Sequence, residues 1–351
     1  MTKTRHNIGS LKTGTITGIL FCLALAVPAW LLGKAFPIIG GPVFAILFGI
    51  VISTAAPQLV GFVCRDGSGI SSGIRFTSKT LLQLSIILLG FEMNLFNVVR
   101  VGGQSLFVML FTLAAAFLTM FLAGRALRLS GNTTTLIGVG TAICGGSAIA
   151  ATAPVIGAKD EEVARSISTI FLFNIAAVFI FPALGHAMNM SDMSFGMWAG
   201  TAINDTSSVV AAGTAWSEVA GNNTALEFAT IVKLTRTLMI VPITLFLAVY
   251  TARRRGAEGN SGFRFAKVFP WFVLLFVAAA VANTFLPIPT AASAFLAACG
   301  KFLIVMAMAA IGLNTSLKSL MSSGIRPIVL GLACWAAVAL TSLAVQYITG
   351  V

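Results

Sequence analysis

Residues 135–157 read TLIGVGTAICGGSAIAATAPVIG, and residues 200–213 read GTAINDTSSVVAAG. Both contain Gly-Thr-Ala-Ile, at 140–143 and 200–203, and both crowd small and hydroxyl residues where a bilayer helix would carry Leu and Phe. Glycine and proline at this density weaken an α-helix and free backbone N–H and C=O groups. In hydrocarbon such groups are tolerated only when they are buried in protein or line a wet cavity. Helices interrupted near the bilayer midplane are how many secondary transporters build their substrate sites. The two stretches therefore predict a polytopic, all-α membrane protein with the interior of a transporter.

Composition agrees. Hydrophobic residues make up 58% of the 351-residue chain and charged residues 9%, with a mean hydropathy of +0.98. Soluble domains carry about 25% charged residues, so a single membrane domain over 1–351 is expected, with no room for a soluble one. The net charge of +12 is not a nucleic-acid signal, because the basic residues stand at the ends of apolar runs, where topology determinants belong. The five cysteines (22, 64, 144, 299, 334) show no paired spacing, and the chain has only two histidines, His6 and His186. No disulfide framework, metal site or cofactor is expected. The basic N-terminus leads into an apolar stretch from about 13 to 33, too long for the core of a signal peptide, so it reads as the first span.

A span needs roughly 20 apolar residues. Eleven candidates follow, near 13–33, 38–56, 79–97, 103–124, 134–156, 166–188, 195–216, 228–250, 268–287, 299–317 and 327–349. The Gly/Ser-rich stretch 57–78 reads as a loop or partial re-entrant segment. With the N-terminus inside, fifteen Lys and Arg residues fall on the cytoplasmic side, among them Arg253, Arg254 and Arg255, which read as a topology anchor. Five (Lys34, Arg100, Lys159, Arg165 and Lys301) fall outside, and Asp160, Glu161 and Glu162 join an outer loop. That bias predicts a cytoplasmic N-terminus and an outward C-terminus.

Two internal similarities occur. Gly140–Ile143 matches Gly200–Ile203 at an offset of 60, and the Lys79/Gly90 pair matches Lys301/Gly312 at an offset of 222. They cannot come from one tandem duplication. Inverted five-span units over 38–188 and 195–349 are compatible with the topology, with the fifth and tenth spans equivalent.

Four ionisable residues lie inside the predicted spans: Glu92, Asp205, Lys233 and Arg236. A charge at a helix centre costs about 2.5–3.5 kcal/mol on insertion scales, which makes each a functional candidate. Glu92, near a span end, reads as interfacial. Asp205 stands among Asn204, Thr206, Ser207 and Ser208 and reads as a coupling carboxylate or as a buried acid with a fixed basic partner. Lys233 and Arg236, three apart, share a helix face and suit an oxyanion; snorkelling of Lys233 to the interface stays open. Cys144, Gly145, Gly146 and Ser147 would form the break in the fifth span, so that a half-helix after Gly146 aims N–H groups and a positive dipole end into the bundle. Close packing through small residues is the alternative. Pro154 reads as a kink or terminator.

The segments AICGGSAIAATAPVIGA, GTAINDTSSVVAAG, KLTRTLMIVP and MAMAAIGLNTSL carry, in this order, a resemblance to the YeiH-like family of bacterial inner-membrane proteins, which are named for sulfate export. The similarity covers nearly the whole chain. It implies the fold of the cation:proton antiporter and anion transporter superfamily, with inverted five-span repeats and crossed, broken helices, plus an extra N-terminal span. Many members have His-Glu or His-Asp where this chain has Asn204-Asp205, so the acid remains and the histidine does not.

The leading expectation is a secondary transporter exporting a small anion, sulfate or an organosulfur anion first, from the bacterial inner membrane. Cys144, Gly145, Gly146, Ser147, Thr206, Ser207, Lys233, Arg236 and Asn314 would bind it, and Asn204 and Asp205 would couple it to H⁺ or Na⁺. A cation/proton antiporter using Asp205 is the second reading. A channel and an intramembrane enzyme are remote: Ser147 lacks the flanking residues of a membrane serine protease, and an aspartyl type needs a second membrane aspartate. There is no Gly-x-x-x-x-Gly-Lys-Ser/Thr motif for ATP. The expected partners are the lipid bilayer, the anion and the coupling ion, with a homodimer compatible and nucleic acid excluded.

Overall fold

The computed structural model describes residues 3–36, 41–55, 69–255, 271–315 and 324–350. Among them the chain is helical throughout. The helices are α1 (Lys3–Ala35), α2 (Gly41–Ala55), α3 (Gly69–Phe76), α4 (Leu82–Leu89), α5 (Leu95–Ala126), α6 (Gly131–Ala142), α7 (Gly146–Ile156) and α8 (Asp160–Ala187). There follow α9 (Asp192–Ala202), α10 (Thr206–Ala220), α11 (Thr224–Leu238), α12 (Ile240–Arg255), α13 (Trp271–Phe285), α14 (Thr290–Leu313) and α15 (Ile325–Thr349). Seven described helical stretches are long and apolar enough to cross a membrane, and α2, α7 and α13 are shorter apolar helices. This is an all-α polytopic membrane protein. Its apolar side chains face outward as readily as inward: Phe107, Leu110, Phe111, Leu118, Phe121 and Leu122 are exposed along α5, as a surface facing lipid requires.

The helices group into two compact units. The first comprises Met1–Leu95, Thr214–Asn223 and Phe272–Lys318. Here α14 packs on α2, α4 and α1, and α1 packs on α3, over a core that includes Cys22, Ile74, Ala310 and Leu313. The Gly/Ser-rich stretch is not a loop from residue 69 onward. It is α3, which continues through a π-helical turn (Thr77–Leu81) into α4 and a final turn at Gly90–Glu92, one helical stretch of 24 residues. Its glycines are there for contact: a Cβ on Gly73 would come within 2.2 Å of the Thr15 carbonyl oxygen, and one on Gly18 within 2.3 Å of the Ile70 oxygen. Residues 57–68 of the predicted loop, with Cys64 and Arg65, lie outside the described residues, as do Arg264, Lys267 and Lys318.

Two boundaries shift in ways that matter. Helix α14 begins at Thr290 rather than 299, which puts Lys301 about 17 Å along its axis instead of at an end. Lys301 thus lies inside a span, as does Lys79 in the stretch Gly69–Glu92. Lys301 donates to Asn223 Oδ1 (2.8 Å), stands 3.8 Å from Glu92, and Asn223 in turn donates to Glu92 (2.9 Å). Helix α8 begins at Asp160 rather than 166, so the acids read as a loop form its first turn, where negative charge suits the helix dipole. There Glu162 accepts from Lys159 N, Ser130 Oγ and Asn132 Nδ2.

The second unit comprises Phe96–Gly213, Thr224–Trp271 and Ser319–Val351. The boundary between units falls inside α10. In this unit α9 packs on α11, α6 on α7, α8 and α15, and α7 on α12. One core cluster gathers Leu136, Ile137, Ile149, Ile156, Ile170, Leu330 and Cys334. The fifth predicted span is broken between α6 and α7, and the seventh between α9 and α10, whereas the tenth is the uninterrupted α14. Pro154 sits inside α7 and does not end it; the helix closes on Gly157 in the left-handed region.

Gly73→Leu should lower the thermal midpoint of the detergent-purified protein, with overpacking costing about 1–3 kcal/mol. Gly103→Ala, where an added Cβ meets nothing within 4 Å, should leave it unchanged or raised. Equal midpoints for the two variants would show that the α1–α3 approach carries no packing constraint.

Candidate functional site

The site grows from the two Gly-Thr-Ala-Ile repeats, each of which ends a half-helix. Helices α6, α7 and α9 have 12, 11 and 11 residues, about 17 Å each and so about half of a roughly 30 Å hydrocarbon core. Each break therefore falls near mid-depth. After Ala142 the chain leaves helical geometry at Ile143 (φ −118°, ψ −91°) and turns at Gly145 (φ +68°, ψ −132°). A side chain at 145 would be strained by that φ, and its Cβ would lie 3.3 Å from Asp205 Cβ. The second break runs through Ile203, in extended geometry, and Asn204 to Asp205. The two breaks thus meet at Gly145 and Asp205.

Interrupting a helix orphans the carbonyls at the end of its first half. Both sets are satisfied from α11. Lys233 Nζ donates to Ile143 O (2.8 Å) and Ile203 O (2.9 Å). Arg236 donates through Nε to Ala142 O (2.6 Å), and through its two terminal nitrogens to Thr141 O and Thr201 O. The pairing is symmetric in sequence: Lys233 takes the isoleucine of each repeat and Arg236 the threonine of each. Two negative helix ends receive two cations. Close approach of α9 to α11 makes this reachable, since a Cβ on Gly196 or Gly200 would lie 2.7 Å from Phe228 or Val232, a Gly-x-x-x-Gly contact.

Both cations are buried, Lys233 at 0% and Arg236 at 1% exposure. Lys233 does not snorkel. Helix α11 begins at Thr224, four residues before the predicted start, which places Lys233 about 14 Å from its end. Two of the three ammonium hydrogens are already directed at main-chain oxygens.

The opposite ends of the breaks are N-termini. Gly145 starts α7, with Ile149 N bonding to Gly145 O at 3.2 Å. Asp205 caps α10, accepting from Ser207 N (3.0 Å) and from Ser207 Oγ, the pattern favoured at a helix start. Thr206, Ser207 and Ser208 are buried behind it, and Cys144 is buried in the first break. Two amides stand here with neither Oδ1 nor Nδ2 hydrogen-bonded among the described residues: Asn204, 1% exposed, and Asn174 of α8, 3% exposed. Asn174 Nδ2 lies 3.5 Å from where a Cβ of Gly145 would be. Buried amides at a junction of helix N-termini offer donors and acceptors that no hydrogen bond among the described residues takes up.

The structure thus brings together Cys144, Gly145, Asn204, Asp205, Thr206, Ser207, Lys233 and Arg236. Gly146 opens α7 and Ser147 beside it is exposed. Asn314 lies in the other unit, at the end of α14, with an exposed side chain. Sequence reasoning missed Asn174, although it is the lone amide of the apolar run FLFNIAAVF at 171–179.

Residues 17–331 match the family model described as conserved hypothetical protein 698. A UPF0324 membrane protein of Streptococcus pyogenes serotype M6 is 50% identical over 340 residues, covering 96% of this chain and 98% of the relative. Another from Fusobacterium nucleatum is 45% identical over 349 residues (95% and 98%), and one from Streptococcus mutans 46% over 348 (97% and 99%). No solved structure matches the chain.

Arg236→Met should remove three charge-assisted hydrogen bonds, each worth about 1.5–3 kcal/mol, and lower the thermal midpoint more than Asn174→Ala does. A midpoint unchanged by Arg236→Met would show that the carbonyl ends of the breaks need no cation.

Proposed function

Because this chain belongs to the conserved hypothetical protein 698 family, the YeiH-like membrane proteins, we propose that it is a secondary transporter of a small anion, sulfate or an organosulfur anion. The observation that carries this reading is the meeting of two half-helix N-termini beside two buried, unpartnered amides. N-termini present N–H donors and the positive end of a dipole, and the amides add donors that fix an oxyanion's orientation. In this reading the anion lies against Gly145, Gly146, Thr206 and Ser207 with Asn174 and Asn204, and Asp205 couples its movement to H⁺ or Na⁺. Lys233 and Arg236 supply positive charge from behind, through the helix ends they cap. Cys144 and Ser147 line the approach. The location is the bacterial inner membrane, with the N-terminus cytoplasmic and the C-terminus outside, by the distribution of Lys and Arg.

A cation/proton antiporter is the second reading. The same geometry favours it at one point: the cations are directed at carbonyl oxygens, and Asp205 sits beside unpartnered amide oxygens that suit Na⁺. Neutralising Arg236 does not discriminate the two readings, since it would loosen both breaks. Direct flux does.

Labelled sulfate should enter proteoliposomes saturably and be driven by an imposed pH or Na⁺ gradient, and Asp205→Asn should abolish the gradient dependence. Sodium-dependent collapse of a pH gradient with no sulfate flux would replace the anion carrier by the antiporter. Asn174→Ala should raise the KM for sulfate about tenfold, the loss of one hydrogen bond to a charged group, while leaving the thermal midpoint near that of wild type.

A further inference from the structure

The charge that the centre holds selects the charge of its ligand. The centre of the second unit carries the buried Lys233 and Arg236 and the half-buried Asp205, and Cys144 contributes a buried thiol. The other described charged or titratable groups of the helices packed here, apart from the buried Cys334 thiol in the middle of α15, stand within two turns of a helix end: Arg100 and Arg125 of α5, Glu161, Glu162, Arg165 and His186 of α8, Asp192 of α9, Glu218 of α10, Glu227 of α11, Tyr250 of α12, and Arg326 and Tyr347 of α15. Helix α6 has no ionisable residue. The four half-helix termini contribute about +0.5 at each N-terminus and −0.5 at each C-terminus, which cancel in sum. With Lys233 and Arg236 both protonated and Asp205 ionised, the fixed charge is one positive unit.

An uncompensated charge within the bilayer is costly, so the loaded centre favours neutrality. We propose that the centre takes a monovalent oxyanion, of the sulfonate or hydrogen-sulfite class, with Asp205 ionised, and takes a dianion such as sulfate only together with one proton on Asp205. The second observation behind a ligand here, beside the helix N-termini, is the pair of buried amides: Asn174 within reach of Gly145, and Asn204 next to Asp205, neither hydrogen-bonded among the described residues. Proximity enforces the rule. The Asp205 Cβ would touch a side chain on Gly145 at 3.3 Å, so a ligand on the α7 N-terminus lies against that carboxylate. A sulfate dianion there meets a like charge unless the carboxyl is protonated. A proton bound with the anion travels with it, so dianion movement is symport, whereas a monoanion needs no proton. The inference rests on the anion-carrier reading.

The test is the number of protons taken up per anion bound. Isothermal titration of the detergent-purified protein at pH 7.5, in two buffers of different ionisation enthalpy, reads this number for sodium sulfate and sodium methanesulfonate. Wild type should take up about one proton with sulfate and none with methanesulfonate, and its sulfate affinity should rise about tenfold per unit fall in pH. In Asp205→Asn the fixed charge becomes two positive units. Sulfate should then bind with no proton uptake, and the preference at pH 7.5 should shift toward sulfate by at least tenfold. Equal proton counts for the two anions in wild type would overturn the charge rule while leaving an anion carrier standing. Proton uptake with sulfate that persists in Asp205→Asn would overturn it too, by moving the proton to another group. Binding of neither anion to folded wild type would remove the carrier reading itself. Should the variant fail to fold, the two wild-type counts still decide.

Discussion

A membrane helix cannot stop halfway without leaving carbonyl oxygens that no water will satisfy. Two helices stop halfway here, and everything about the centre follows from how their oxygens are met. Lys233 and Arg236 meet them from one face of α11. Lys233 takes one oxygen from each break and Arg236 two from the first and one from the second, so each is also a strut between the breaks. With the C-terminal halves of the problem settled in this way, the N-termini of α7 and α10 are left to meet at Gly145 and Asp205. The cations set the spacing of the two breaks.

Much of this was legible in the sequence because the physics acts locally. The repeated Gly-Thr-Ala-Ile announces both breaks, and it does so because the same three or four residues must leave helical geometry and let another element come close. The succession of apolar runs and the common face of Lys233 and Arg236 are one-dimensional facts of composition and period, whereas the burial of Lys233 rests on α11 beginning at Thr224, which the sequence left open. What was not legible depends on partners distant in sequence. Asn174 looks like an isolated polar residue until Gly145 is seen beside it. The glycines of α3 look like a loop until α1 lies against them. Lys301 looks interfacial because small residues over 290–298 weaken the hydropathy signal, although α14 already begins at Thr290.

The similarity at an offset of 60 also turned out to mean more than the one at 222. The first marks two equivalent backbone junctions that one pair of side chains serves. The second marks close approaches within the first unit, where a Cβ on Gly90 would lie 2.6 Å from the Phe276 carbonyl oxygen and one on Gly312 would lie 2.4 Å from that of Ile46. Short motifs of small residues recur in membrane proteins for both reasons. Only the neighbours tell them apart.

Lys233 and Arg236 hold main-chain oxygens, not side chains. The struts are therefore indifferent to which residues occupy 141–143 and 201–203, provided they fit. Architecture and recognition are written in different atoms. Asn174 and Asn204 take no part in holding the carbonyl ends, so substitutions there leave the struts in place, while the two cations and the glycine at 145 have few alternatives. The frame and whatever lies beside it can therefore drift independently in sequence.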